Sequence, residues 1–402
     1  MTKDFKILEV YYKGDIVGRL SQTPNKLIAF QYDPVWLKNG FSISPFSLPL
    51  RDDVFLPPEK CRERFRGLFG IFADSLPDSW GELLLDRHLE TIGIKKDGIS
   101  TLDRLAFVGH SGMGALEYHP SKEIDYRVDA AGLDYDQIAK ECDKILSSKT
   151  SEQLDILYQM GGSSGGTRPK ILLSENGKDW IIKFPAKKDP GLSGKREYDY
   201  SLCAKNCGII MTETALIPSS VCEGYFKTER FDRRGKDKVF SATFAGLLEA
   251  DYRAPSCDYA TYMKMVRVLT KDRVDDTEQM FRVMCFNVAT HNLDDHTKNF
   301  SFLYDECGWK LAPAYDLTYS ETYWGEHTTS VNGKGKDIYA EDLIKVGTGA
   351  GFSKSFCQKC IDETAEKTAP IKPYIIKGDQ GRSKHLTPSE RISDLSENLE
   401  KE

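Results

Sequence analysis

The sequence predicts an α+β protein of two lobes, a β-rich N-terminal lobe and a helical C-terminal lobe. Three observations predict it. Short β-rich runs separated by Gly, Pro and Asn turns dominate the chain up to residue 235. Apolar residues at helical spacing dominate beyond residue 240. The extended stretch Thr228 to Arg233 stands where one pattern gives way to the other. The 402 residues allow two or three domains at roughly 100–200 residues each. The expected pieces are 1–150, 151–235 and 236–402.

The elements follow in order. Phe5 to Tyr11 is a strand, Lys13-Gly14-Asp15 a turn, and Ile16 to Leu20 the answering hairpin strand. Lys26 to Tyr32 is a third strand, stopped by Asp33-Pro34. Asp78 or Ser79 can cap a helix through Trp80, Leu83, Leu84 and Arg87. Residues 100–110 form a short helix, ended by the Gly-rich Gly109 to Gly114. Residues 134–160 are expected to be helical. Strands 170–173 and 179–184 flank the hairpin turn Asn176-Gly177. A helix over 194–206, capped by Gly208, precedes two strands within 209–233. Among the later helices, 300–304 and 309–311 make one further hairpin. The polar tail after residue 378 is expected to be a surface helix or a frayed terminus.

Composition narrows the function. Hydrophobic residues make up 40% and charged residues 29%, which excludes disordered and collagen-like chains. Against 55 Lys and Arg stand 61 Asp and Glu, a net charge of −6 that disfavours a stand-alone nucleic-acid binder. No apolar run reaches the ~18 residues of a membrane span, and the N-terminus lacks a signal-type apolar region. A cytoplasmic chain with ten reduced, scattered cysteines is expected. Cys357-Gln-Lys-Cys360 has zinc-like spacing without a second pair, so two helix thiols are the expected reading.

The most specific chemical feature is Asp294-Asp-His-Thr-Lys-Asn299. Phosphoryl transfer needs an oriented hydroxyl and a metal held against phosphate oxygens. A carboxylate and a carboxamide five residues apart on one loop can supply both, and that spacing selects Asp294 over Asp295. Asp316, after the 300–311 hairpin, stands where a second metal ligand belongs. Mg²⁺ keeps several waters, so Asn299 and Asp316 would suffice for it. Met160 to Lys170 carries four glycines whose backbone N–H groups can approach an anion, without the Gly-Lys-Ser/Thr ending of a Walker loop. Lys183 lies inside an apolar strand, and Glu197 is a candidate ion-pair partner. Phe231, at the exit of a strand, can lie against an adenine ring. His291 and His296 have poor spacing for a shared metal.

Together these motifs resemble the HipA family of bacterial toxin kinases. Tyr12 to Arg19, Leu48 to Leu50 and Phe72 to Arg87 look like its N-terminal subdomain. Gly161 to Lys170, Ile182-Lys183, Glu229 to Arg233, Asn292 to Ser301 and Ala312 to Thr318 look like its kinase elements, in order. The resemblance implies a kinase-like fold and an ATP- and Mg²⁺-dependent serine/threonine protein kinase. It implies Asp294 as catalytic base and Asn299 and Asp316 as Mg²⁺ ligands. Gly165, Gly166, Lys170 and Lys183 would meet the ATP phosphates, and Glu229, Arg230 and Phe231 the adenine. His296, Lys298 and Tyr315 would line the nucleotide site, and Ser163 would be autophosphorylated, with Ser164 beside it. Thr167-Arg168-Pro169 departs from the family's loop. A helix-turn-helix, HipB-like antitoxin is implied as partner, with DNA contacted only through it, and a translation factor or aminoacyl-tRNA synthetase as substrate class. The alternatives are a kinase-like binding module with little catalysis and a small-molecule phosphotransferase.

Overall fold

A computed structural model describes residues 6–95, 98–122, 132–149, 151, 153–186, 189 and 191–378. The chain packs as two compact units, one formed by 1–194 and 215–249, the other by 195–214 and 250–402. The expected tail helix after 378 lies outside the described residues.

The first unit opens with a five-stranded antiparallel sheet in the order β4-β3-β2-β1-β5. Its strands are β1 (Ile7–Tyr12), β2 (Asp15–Gln22), β3 (Ile28–Tyr32), β4 (Val54–Phe55) and β5 (Leu116–His119). The β1–β2 hairpin closes on Tyr12 opposite Asp15, with Lys13 and Gly14 at φ 50° and 87°. That pair of left-handed residues is what a tight hairpin turn requires. Leu8 and Val10 on β1, and Gly18 and Leu20 on β2, are buried with the period-two alternation of a strand, and Val17 is buried as well.

A second, four-stranded sheet runs β6-β7-β9-β8, with β6 (Lys170–Glu175), β7 (Lys178–Lys183), β8 (Thr214–Ile217) and β9 (Tyr225–Glu229). Helices Ser79–Thr91, Tyr135–Leu146 and Leu154–Gly161 bury Trp80, Leu84, Ile138, Ile145 and Leu157 with Ile171, Trp180 and Ile182 of this sheet. The single helix expected over 134–160 is two. Ser148, at φ 57°, breaks it within a polar stretch that has no apolar face to bury. Ser100 and Asp103 form a capping box on helix Thr101–Val108.

In the second unit, helix Ser193–Asn206 ends as expected on Gly208 at φ 78°, with Ile209 N–H donating to Ala204 C=O (3.0 Å). Helices Tyr259–Leu269, Val274–Ala289, Ala340–Gly349 and Lys354–Lys367 pack around Met263, Val266, Phe281, Met284, Leu343 and Ile361. Gly347 lets two of them approach, since a Cβ there would meet Cys357 Sγ at 2.5 Å. Cys357 and Cys360 are buried on one helix, and burial pushes the Cys360 thiol up to about 11. The hairpin β10 (Ser301–Asp305) and β11 (Gly308–Leu311) follows the Asp294 loop. Among the described residues no helix is long and apolar enough to cross a membrane.

Candidate active site

In the first unit, the Gly-rich segment leaves helix Leu154–Gly161 and enters β6. Its polar groups are engaged locally. Ser163 Oγ donates to Ser111 C=O (3.0 Å), and the buried Ser164 donates to Gly161 C=O (2.5 Å). Gly166, at φ 88°, donates its N–H to Asp78 Oδ2 (2.9 Å). Of the two candidate caps, Asp78 and Ser79, Asp78 occupies the N-cap position, but its side chain makes no cap bond. A carboxylate on an amide of a Gly-rich loop marks a place where backbone N–H groups suit an anion. Lys170 is buried and its ammonium donates to Gly165 C=O. Arg168, where the loop departs from the family pattern, pairs with Asp189 at 3.1 Å.

The β6–β7 register sets Lys170 opposite Lys183, and the β7–β9 register sets Lys183 opposite Phe226. Lys183 Nζ lies 5.7 Å from the Phe226 ring centroid. Two lysines across a hairpin repel one another unless an anion joins them. Glu197, the candidate partner of Lys183, is buried on helix Ser193–Asn206. Glu229 pairs with Lys178 at 3.2 Å. The Arg230 guanidinium is buried on Asp232 (2.9 and 2.8 Å), and the Arg230 backbone N–H donates to Asp179 C=O (2.8 Å). Arg233 also meets Asp232 (2.8 Å), and Gly114 N–H donates to it (2.7 Å). Burial alone would raise the Asp232 carboxyl, but the two guanidiniums outweigh it and hold the group at about 2.

In the second unit, the segment 291–299 carries two consecutive carboxylates with opposite fates. The Asp294 side chain is 57% exposed. The Asp295 side chain is 0% exposed and accepts from Tyr259 O–H (2.9 Å) and Thr329 N–H (3.0 Å), with His327 Nδ1 at 2.9 Å. The network continues. Asn287 Nδ2 donates to Tyr259 Oη (2.9 Å), and Asn292 Nδ2 donates to Asn287 Oδ1 (2.9 Å). Ser320 donates to Asn292 Oδ1 (2.8 Å) and accepts the Asp294 N–H (2.9 Å). Burial, with the Asp295 charge beside it, pushes the Tyr259 hydroxyl well above its ordinary value. A buried network with its members satisfied rigidifies what it holds. Here it holds the backbone that presents Asp294.

The other expected residues of this unit gather around that loop. Asn299 Nδ2 donates to Asp294 C=O (2.7 Å) from the 3₁₀ turn Thr297–Asn299. His296 Nε2 is 3.9 Å from Asp294 Oδ1. Lys298 Nζ sits 4.5 Å over the Tyr252 ring, and its carbonyl accepts from Tyr315 O–H (2.6 Å), which also meets Ser301 Oγ at 2.6 Å. Asp316 follows at φ 54°. A non-glycine residue in the left-handed region is costly and persists where its surroundings fix it. Among the described residues no three His, Cys, Asp or Glu side chains form a metal-holding group. The hydrogen-bonding supports Asp78, Ser111, Tyr259, Asn287, Ser320, His327 and Thr329 escaped sequence reasoning, because all but the Asn287–Asn292 bond join residues far apart in the chain. An Asp-Asp pair, of which only one member can be spent on structure, was the one available signal.

Residues 8–119 match the HipA N-terminal domain. Residues 162–370, more than half of the chain, match the HipA-like C-terminal domain. The chain belongs to the HipA family. Y4mE of Sinorhizobium fredii, which carries a provisional kinase name, is 25% identical over 413 residues, covering 91% of this chain and 92% of the relative. The serine/threonine-protein kinase toxin HipA of Shewanella oneidensis is 22% identical over 348 residues, covering 79% and 76%. Among solved structures, Shewanella oneidensis HipA in complex with HipB and operator DNA is similar with a TM-score of 0.69 at 19% identity, over 92% of this chain and 90% of that one. This HipA-family chain therefore has the two-lobed, kinase-like α+β fold.

Proposed function

We propose that this HipA-family chain is an ATP- and Mg²⁺-dependent serine/threonine protein kinase, the toxin of a toxin–antitoxin pair. The observation that carries the reading is the Asp294/Asn299 loop, whose exposed carboxylate stands on a fully hydrogen-bonded support. Asp294 accepts the proton of the acceptor hydroxyl as it attacks the γ-phosphoryl group. Asn299 and Asp316 offer oxygen donors that fit a hard cation completed by waters and phosphate oxygens. When bound, Mg²⁺ supplies neutralisation of the charge that develops on the phosphates. Lys183 and Lys170 attract the phosphates, with Gly165 and Gly166 offering N–H groups. Glu229, Arg230 and Phe231 meet the adenine. His296, Lys298 and Tyr315 shape the loop around the nucleotide. Ser163 is the proposed autophosphorylated residue, and the segments 1–150, 151–235 and 236–402 are the proposed functional pieces.

A HipB-like helix-turn-helix antitoxin is the proposed partner, by analogy with the HipA–HipB–DNA complex of Shewanella oneidensis. The net charge of −6 fits a protein that leaves DNA contact to its partner, in the cytoplasm. The test is incubation with radiolabelled ATP and cell lysate. Wild type is expected to label itself and a lysate protein, and Asp294→Ala to reduce labelling on the order of 10²–10⁴-fold. Absence of labelling, or an unaffected variant, overturns the reading.

One observation favours a second reading, a binding module with little catalysis. The Gly-rich loop has its Gly166 amide and Lys170 ammonium engaged internally, so a nucleotide must displace them. A stable antitoxin complex formed by a chain without turnover would support it; robust turnover by the free chain would end it.

A further inference from the structure

After Asp316 the chain sinks through Leu317 to Tyr319, surfaces, and returns at His327. The surfaced stretch is Glu321-Thr-Tyr-Trp-Gly-Glu326. It is a closed turn. Thr322 Oγ1 donates to Glu326 C=O (2.6 Å) and accepts Glu326 N–H (3.0 Å). Gly325 turns at φ 65° and donates to Thr322 C=O (3.1 Å). The turn forces Tyr323 and Trp324 outward, 84% and 73% exposed, the most exposed large hydrophobic residues described. Their rings meet edge to face with centroids 4.7 Å apart. Single exposed apolar residues need no explanation, but an ordered aromatic pair offers the side chains that most often dominate recognition.

Both ends of the turn are fastened to the segment that carries Asp294. Ser320 accepts the Asp294 N–H (2.9 Å) at one end. At the other, His327 meets Asp295 at 2.9 Å and Thr328 N–H donates to Leu293 C=O (2.9 Å). The aromatic tip and the proposed base thus stand on one frame. The charges on the turn itself are acidic, and the exposed Lys336 and Asp337 follow Gly335, whose C=O accepts the His327 N–H (2.7 Å). Glu321 and Glu326 are exposed, as is Asp294, while Lys334 is paired with Asp342 at 2.8 Å. Aromatic faces flanked by carboxylates attract cationic side chains through the ring quadrupole and through charge.

We propose that the Tyr323–Trp324 tip is the protein-docking surface of this chain, receiving an extended segment whose lysine or arginine side chains lie beside the acceptor hydroxyl. This deepens the kinase reading and rests on it for its purpose, while its test does not require turnover. The probe is a short fluorescein-labelled peptide with a serine among arginines and lysines, compared with a matched peptide bearing glutamates, titrated with the full chain and followed by anisotropy. The basic peptide is expected to bind at least about tenfold more tightly than the acidic one. Tyr323→Ala/Trp324→Ala is expected to weaken it about tenfold. Glu321→Gln/Glu326→Gln is expected to flatten its salt dependence. Equal affinity for the two peptides, or binding unchanged in the aromatic variant at an unchanged melting temperature, overturns the proposal. A chain that binds the basic peptide at the tip yet transfers no phosphate refutes the kinase reading alone. A chain that transfers phosphate yet ignores the tip refutes the docking surface alone.

Discussion

Two aspartates are buried to the same degree in different units and are held by opposite means. Asp232 sits between two guanidiniums and one backbone amide. Asp295 sits among a tyrosine hydroxyl, a backbone amide and a histidine. The first arrangement balances charge with charge and ties Gly112 and Gly114 to the exit of β9 through Arg233. Among the described residues the second pairs Asp295 with no lysine or arginine, and its hydrogen bonds run on to the backbone of Asp294. The cationic knot fixes the fold of a strand exit. The network around Asp295 fixes the backbone of a neighbour whose carboxylate stays exposed.

The contrast is sharpest at the consecutive pair. Asp294→Ala is expected to slow phosphoryl transfer on the order of 10²–10⁴-fold while leaving urea unfolding unchanged. Asp295→Ala is expected to lower stability by about 2–4 kcal/mol, since it leaves Tyr259, Thr329 N–H and His327 unpaired in the interior. If both variants are equally stable, the division of labour fails.

Asp232→Asn comes next in effect. Leaving two buried guanidiniums without their anion should cost ~3–5 kcal/mol. It should also change the acid limb of stability. The folded carboxyl titrates at about 2 against an ordinary 3.8, so its stabilisation is present above pH 4 and is lost as pH falls toward 2. Melting temperatures of wild type should fall through that window more steeply than those of the variant; parallel curves would show that the knot contributes nothing to acid stability.

Ser320→Ala probes the network more gently. It removes the acceptor of the Asp294 amide and a donor to Asn292, which should cost about 1 kcal/mol of stability. A looser base should lower kcat by about tenfold with little change in the KM for ATP. A change in KM alone would place Ser320 in nucleotide binding instead. The smallest effect is expected at Asp78→Ala. Releasing the Gly166 N–H should lower the KM for ATP by about two- to threefold, because the amide no longer has to leave a carboxylate. A raised KM would mean that Asp78 shapes the loop for ATP rather than competing with it.

The fold was largely legible because its signals are local. Lys13-Gly14, Asn176-Gly177 and Gly208 mark turns and a helix end within a few residues, and the structure has them there. The break at Ser148 was not legible, because apolar positions on either side of it continue a helical rhythm. At the candidate site, the Asp294/Asn299 spacing and Asp316 stand out as a sequence pattern, and the structure bonds Asn299 to the Asp294 carbonyl. Their supports could not, since Tyr259 reaches Asp295 across 36 positions and Gly166 reaches Asp78 across 88. Which of two adjacent aspartates is buried depends on those distant partners.

The left-handed Asp316 bears on how this protein could be evolved in the laboratory. At φ 54°, glycine is free of the Cβ clash, and asparagine tolerates the conformation about as well as aspartate. A position-316 library sorted only for heat resistance should therefore return glycine, discarding the carboxylate proposed for the metal. Melting temperature and phosphoryl transfer, scored clone by clone, should run in opposite directions, so durability is a poor selection criterion at this position.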